Sequence, residues 1–130
     1  MFCDCPSLDD LNPLTNWDLS NAENIGSMFW GWSYLVDLFP LKDWNVSHVK
    51  NMYCLFDSCT SLKDLSPLTN WDVSNVKDMG EMFERCTSLE DLTPLANWDV
   101  SNVKYIFDMF ECCTSLEDLS PPGKMGCIQC

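Results

Sequence analysis

Nine cysteines, 20 acidic side chains and a single histidine among 130 residues open three routes to chemistry: thiol or metal binding, cation capture and acid–base catalysis. Cys127 and Cys130 form one C-x-x-C, whereas a structural zinc site needs a second set of N or S ligands beside it. The other close pair, Cys3 and Cys5, lies at the opposite end of the sequence. Asp10, Asp37, Asp64, Asp91 and Asp118 recur every 27 residues, and a stacked carboxylate row is the ligand type that calcium prefers. No segment carries the alternating ligands and glycine turn of a calcium loop, so the row reads as a solvated face. His48 has no second histidine, and it fills the slot that Asn21, Asn75 and Asn102 fill elsewhere. G-x-S-x-G, H-E-x-x-H and phosphate-cradling glycine motifs are missing. The expectation is a protein that is not an enzyme and holds no cofactor and no metal.

The elements that position these side chains follow from the common step. Trp17, Trp44, Trp71 and Trp98 are each 27 residues apart, as are Phe2, Phe29, Phe56, Phe83 and Phe110. Leu8, Leu35, Leu62, Leu89 and Leu116 keep the same interval, followed by Leu11, Leu38, Leu65, Leu92 and Leu119. Self-similarity at such a period marks a solenoid or related array, in which one copy cannot bury enough apolar surface by itself and must stack on its neighbours. In this register Cys5, Cys59, Cys86 and Cys113 stand three residues after the repeat phenylalanine, with Trp32 in the second copy. They are expected to be small core hydrophobes. Cys3, Cys54 and Cys112 fall outside that row, and the odd total leaves at least one thiol unpaired within the chain.

Within a copy the apolar residues lie about three apart, as in Val73, Val76, Met79, Met82, Phe83, Cys86, Leu89, Leu92 and Leu95. Gly80 interrupts any long helix there, and "SPL" or "TPL" closes the copy, so only short elements fit. "SLEDLTPL" is read as a short parallel strand running into a proline turn. "DVSNV" is read as a second extended piece, and "MxxMFxxC" as a helical turn. Residues 1–121 form the repeat and 122–130 an irregular tail. Asp18, Asp72 and Asp99, with Asn45 between, and the serines two residues on are expected to fasten the corners.

Lys50, Lys77 and Lys104 make a second charged row, with Glu23 in the same slot, and Trp30, Trp32 and Tyr34 make the second copy unusually aromatic. If a partner is bound, the candidate contacts are therefore Asp37, Asp64, Asp91, Lys50, Lys77, Lys104 and Trp30. The formal charge of −13 works against nucleic acid and anionic membrane, which need clustered Lys and Arg. No run of about 18 apolar residues exists to enter a membrane. "MFCDCPSLDD" lacks the basic and apolar regions of a secretory signal. Met1 is in register with Met28, Met82 and Met109, so the sequence begins in mid-repeat and is expected to be part of a longer array.

The phrase "PLTNWDVSNVKDMGEMFERCTSLEDL" closely resembles the repeat of BspA-type leucine-rich-repeat surface proteins, a pattern shared with mycoplasma-type surface lipoproteins. W-D-x-S-N-V, M-F-x-x-C and S-L-x-x-L occur in the family's order and spacing. Lysine stands here after "SNV", where the family often has threonine. The resemblance implies a leucine-rich-repeat-like stack of about five 27-residue coils with short parallel strands and short helical turns. It also implies Leu62, Leu65, Leu89 and Leu92 in the core, with Asp64 and Asp91 projecting from the strand face. The function it implies is non-enzymatic surface adhesion or protein–protein interaction with a protein or glycan partner, at the cell surface or secreted. A cytoplasmic interaction scaffold of the same fold is the alternative, because no export signal is present, and a divalent-ion-binding array is a third reading.

Overall fold

The computed structural model describes residues 10–118. The expectations for Phe2, Cys3, Cys5, Leu8, Leu119 and the tail 122–130 with Cys127 and Cys130 concern residues outside that range. Within it each repeat opens on a single 3₁₀ turn: η1 at Asn12–Leu14, η2 at Phe39–Leu41, η3 at Ser66–Leu68 and η4 at Thr93–Leu95. Proline occupies the middle of each, where its fixed φ suits the turn and its missing N–H costs nothing. The turn is tied at its start by the aspartate two residues earlier, as where Asp64 Oδ1 accepts the Ser66 N–H at 2.8 Å.

The segment read as a strand, "SLEDLTPL", therefore bends into η4 and pairs with no neighbour; the aspartate takes the N–H that a sheet ladder would need. "DVSNV" is also a turn, closed by the Val76 N–H on the Val73 carbonyl at 2.9 Å and by Asp72 Oδ1 on the Ser74 N–H at 3.1 Å. The parallel bridges fall one step later, at Asn24 with Asn51, Asn51 with Asp78 and Asp78 with Tyr105.

The stretch after each bridge, read as a helical turn, departs from a helix for a definite reason. Two residues per copy lie in the left-handed region: Ser27 and Gly31, Cys54 and Ser58, Glu81 and Arg85, Asp108 and Cys112. Alternate N–H groups then leave the copy altogether. Those of Cys54, Phe56 and Ser58 donate to the Gly80, Met82 and Glu84 carbonyls at 3.0, 2.9 and 2.8 Å. The intervening ones, such as Leu55 and Asp57, close i→i−3 turns on Met52 and Cys54. Seven of the eight left-handed residues are not glycine, and each carries a steric cost that the shared hydrogen bonds to the neighbouring copy must offset.

Between the copies lies one apolar interior. Phe29, Phe56, Phe83 and Phe110 stack face to face with centroids 5.4, 5.5 and 5.6 Å apart. Trp17, Trp44 and Trp71 do the same at 6.5 and 6.4 Å. The indole N–H groups reach across to the preceding copy, Trp44 to the Leu14 carbonyl at 2.9 Å and Trp71 to that of Leu41 at 3.0 Å. The Cys59, Cys86 and Cys113 thiols likewise donate to the Phe29, Phe56 and Phe83 carbonyls. Burial pushes Cys59 and Cys113 up to about 12 and Cys86 well above its ordinary value. A thiol held protonated and covered does not attack an electrophile. In the native protein, Ellman's reagent is therefore expected to modify the exposed Cys112 and spare Cys59, Cys86 and Cys113 until denaturant is added, with peptide mapping to locate the label.

Candidate functional site

The carboxylates of Asp37, Asp64 and Asp91 are exposed but committed. Each accepts the N–H of the residue two positions on, at 2.7 to 2.8 Å, and Asp64 and Asp91 also take the hydroxyls of Ser66 and Thr93. The bonds to the Thr93 N–H and hydroxyl hold the Asp91 carboxyl below its ordinary value. They work as turn fasteners, as Asp18 does for Ser20 and Asp72 for Ser74. Asp64→Ala removes two bonds and is expected to cost about 1 kcal/mol, read as a lower urea midpoint. The lowered carboxylates of Asp18, Asp72 and Asp91 stabilise the fold above their unfolded pKa, and that contribution is lost as pH falls through the folded value.

Lys50 is paired with Glu23 at 2.6 Å, and its bond and charge, with Lys77 adding less, hold the Glu23 carboxyl below its ordinary value. Lys77 and Lys104 are exposed in the same row, and their backbone N–H groups donate to the Lys50 and Lys77 carbonyls. Trp30 lies elsewhere, with its indole N–H on Asp57 Oδ2 at 2.8 Å. The seven residues therefore do not converge on one site. Trp30 points instead to a different surface.

That surface is built from the left-handed segments. In register it holds Asn24, Gly26, Ser27, Trp30 and Gly31, then Asn51, Tyr53, Cys54, Asp57 and Ser58. The next copies supply Asp78, Gly80, Glu81, Glu84 and Arg85, then Tyr105, Phe107, Asp108, Glu111 and Cys112. No position in this set keeps its residue through the four copies, whereas Trp44, Val46, Ser47, Val49 and Lys50 recur unchanged 27 and 54 residues on. The shared backbone ladder fixes the main chain and leaves these side chains free to differ.

At the centre of this face Asp57 and Glu84 occupy the same slot in adjacent copies and are only 3% and 5% exposed. Arg85 clamps both, with Nη1 3.1 Å from Asp57 Oδ1 and Nη2 2.5 Å from Glu84 Oε1. The Ser58 hydroxyl completes the Asp57 shell at 2.8 Å. Burial first, and then Asp57, raises the Glu84 carboxyl above its ordinary value, with Arg85 opposing. Beside them the Cys54 thiol donates to Glu81 Oε2 at 3.3 Å. Cys54, Asp57 and Glu81 bring one thiol and two carboxylates within 4.8 Å of one another. Burial pushes the Cys54 thiol up to about 12, and the Asp57 oxygens are already taken by Trp30, Ser58 and Arg85. The group is thus a hydrogen-bonded cluster rather than a set of waiting metal ligands.

Residue type and spacing alone did not single out Tyr53, Asp57, Glu81, Glu84, Arg85, Phe107, Asp108 and Glu111. The available signal was negative, a block of each copy that fails to repeat while its flanks repeat faithfully. Among the described residues no helix is long and apolar enough to cross a membrane. The whole arrangement is that of a repeat domain with an apolar interior and a face whose side chains change from copy to copy. The chain belongs to the family described as Mycoplasma protein of unknown function, DUF285, which matches residues 1–120. No curated protein and no solved structure matches it.

Proposed function

We propose that the chain is a non-enzymatic interaction module, a leucine-rich-repeat-like solenoid of the BspA type that presents its variable face to a protein or glycan partner at the cell surface or after secretion. The observation that carries this reading is the contrast between core ladders such as Phe29, Phe56, Phe83 and Phe110, which keep one residue through the copies, and the face from Asn24 to Cys112, where none of the named positions does. Extended repeat surfaces are used for recognition in this way. On the face the Cys54 thiol is held protonated beside Glu81, and the Asp57 carboxylate that accepts the Ser58 hydroxyl is also bound by Trp30 and Arg85, so neither pair is arranged as an activated nucleophile.

The second reading is an intracellular scaffold of the same fold. Its support is the set of free thiols at Cys54, Cys59, Cys86, Cys112 and Cys113, which a reducing compartment keeps as they are.

Proteolytic shaving of intact source cells distinguishes the two. Under the first reading, trypsin releases "CTSLEDLTPLANWDVSNVK", residues 86–104, before lysis. Release only after lysis assigns the chain to the scaffold reading. A parallel screen of the 130-residue chain against immobilised peptides and glycans reads binding directly. A chain that binds no class of ligand on that panel overturns both.

A further inference from the structure

The last described copy gives the variable face its most exposed aromatic groups. Tyr105 and Phe107 are 56% and 42% exposed. Phe107 lies across Gly80, where a Cβ would stand 3.0 to 3.3 Å from three of its ring atoms. Its centroid is 6.4 Å from that of Tyr53, two copies back. The missing side chain at Gly80 therefore seats the ring, and its outer surface is left open.

Glu81, Asp108 and Glu111 lie at neighbouring positions of the same face, and no ion pair among the described residues involves Asp108 or Glu111. Arg85 belongs to the face but is drawn inward onto Asp57 and Glu84. Lys77 and Lys104 stand one residue before the face begins, next to Asp78 and Tyr105, and neither forms an ion pair with Asp108 or Glu111 among the described residues. Open ring faces beside the carboxylates of Asp108 and Glu111, with Glu81 next to them holding the Cys54 thiol on one oxygen, match a lysine or arginine side chain. The ring attracts the cation, the apolar stem packs on it, and the carboxylates accept its N–H groups. A net charge of −13 steers the same cation inward and repels an anionic glycan.

We propose that Tyr105, Phe107, Glu81, Asp108 and Glu111 form a docking surface for a cationic, arginine- or lysine-bearing peptide segment of a protein partner. The proposal rests on the interaction-module reading and names the partner's chemistry.

The test is fluorescence anisotropy with the 130-residue chain and a labelled peptide of alternating Arg and Gly, a Glu–Gly peptide serving as control. The Arg peptide binds at low salt and the Glu peptide does not. Tyr105→Ala and Phe107→Ala each weaken binding roughly tenfold, and so does the pair Asp108→Asn with Glu111→Gln. Glu90→Gln with Glu117→Gln removes the same charge from a separate row and leaves affinity within about twofold. Among the described residues Tyr105 makes no ring contact, so its variant reads binding even if Phe107→Ala loosens the fold.

Equal loss in both charge pairs means diffuse attraction and overturns the docking surface, as does full affinity in Tyr105→Ala. Displacement of the peptide by millimolar calcium, with a rise in Tm, replaces it with a metal occupant and also overturns it. A ligand from the panel that is indifferent to Tyr105 and Phe107 sinks this proposal alone. A chain that binds nothing on the panel sinks the interaction module as well.

Discussion

Phe83→Ala is expected to lower the urea midpoint by more than either Asp64→Ala or Arg85→Ala. Phe83 is fully buried and stacked on both faces, with Phe56 at 5.5 Å and 10° and Phe110 at 5.6 Å and 4°. Losing a buried phenylalanine side chain costs about 3–5 kcal/mol in transfer and cavity terms. Each lost ring pair adds on the order of 1 kcal/mol. Domains of this size are stable by about 5–15 kcal/mol, so the change removes a large share of the total. Its effect also spreads, because the Phe83 N–H donates to the Met109 carbonyl and the Phe83 carbonyl accepts the Cys113 thiol. If the cavity lets the segment shift, those links to the next copy weaken with it. Phe83→Leu keeps most of the volume and should cost only about 1–1.5 kcal/mol. Tryptophan fluorescence during urea titration reports both variants. A loss below about 1 kcal/mol for the alanine variant would mean that the aromatic column is not a principal support of the fold.

The column was legible before the structure because its signal is identity at a fixed step. Phe29, Phe56 and Phe83, Trp44 and Trp71, and the thiols of Cys59, Cys86 and Cys113 share registers, and shared register in a repeat means shared environment. The corner fasteners Asp18 and Asp72 were legible for a related reason, since the serine they hold stands two residues on. The Asp37, Asp64 and Asp91 row keeps register equally well and reads as a solvated face with candidate partner contacts; the carboxylates are exposed, and what the sequence does not show is that each also accepts a backbone N–H. Every residue but proline carries such a donor, so the sequence does not mark which one is taken.

The path of the main chain was less legible still. Cys54, Ser58, Glu81 and Arg85 take left-handed conformations that favour glycine, yet the corresponding position is glycine only at Gly31. What holds them there is the hydrogen-bond ladder to the next copy, a tertiary cause with no local signature. The same ladder brings Asp57 beside Arg85, 28 residues away, and thereby makes the centre of the variable face.

That centre is the place where removing one side chain leaves two charges stranded. Arg85→Ala leaves Asp57 and Glu84, both buried and in the same slot of adjacent copies, with no cation between them. Breaking such a group is costly in a dry interior, and because the guanidinium itself is half exposed the loss at pH 7 is expected to lower the urea midpoint clearly but by less than Phe83→Ala does. Arg85→Lys keeps the charge but loses the planar fork that reaches both carboxylates, and it should fall between the two.

The pH dependence separates electrostatics from lost packing. The Glu84 carboxyl is raised above its ordinary value of 4.5, by burial first and then by Asp57. The fold thus favours its neutral form, and this contribution is fully present below the unfolded value and lost as pH rises through the folded one. The gap between Arg85→Ala and the native chain should therefore shrink as pH falls from 7 towards 4. Glu84→Gln, which fixes a neutral side chain in place, should close much of that gap when combined with Arg85→Ala. Thermal melts of the native chain, both single variants and the double variant at pH 7 and pH 4 decide the matter, because the lowered carboxylates of Asp18, Asp72 and Asp91 are common to all four and cancel. A gap that stays constant with pH would mean that Arg85 supports the face through its packed stem, and that the stacked carboxylates do not need it as a counter-ion.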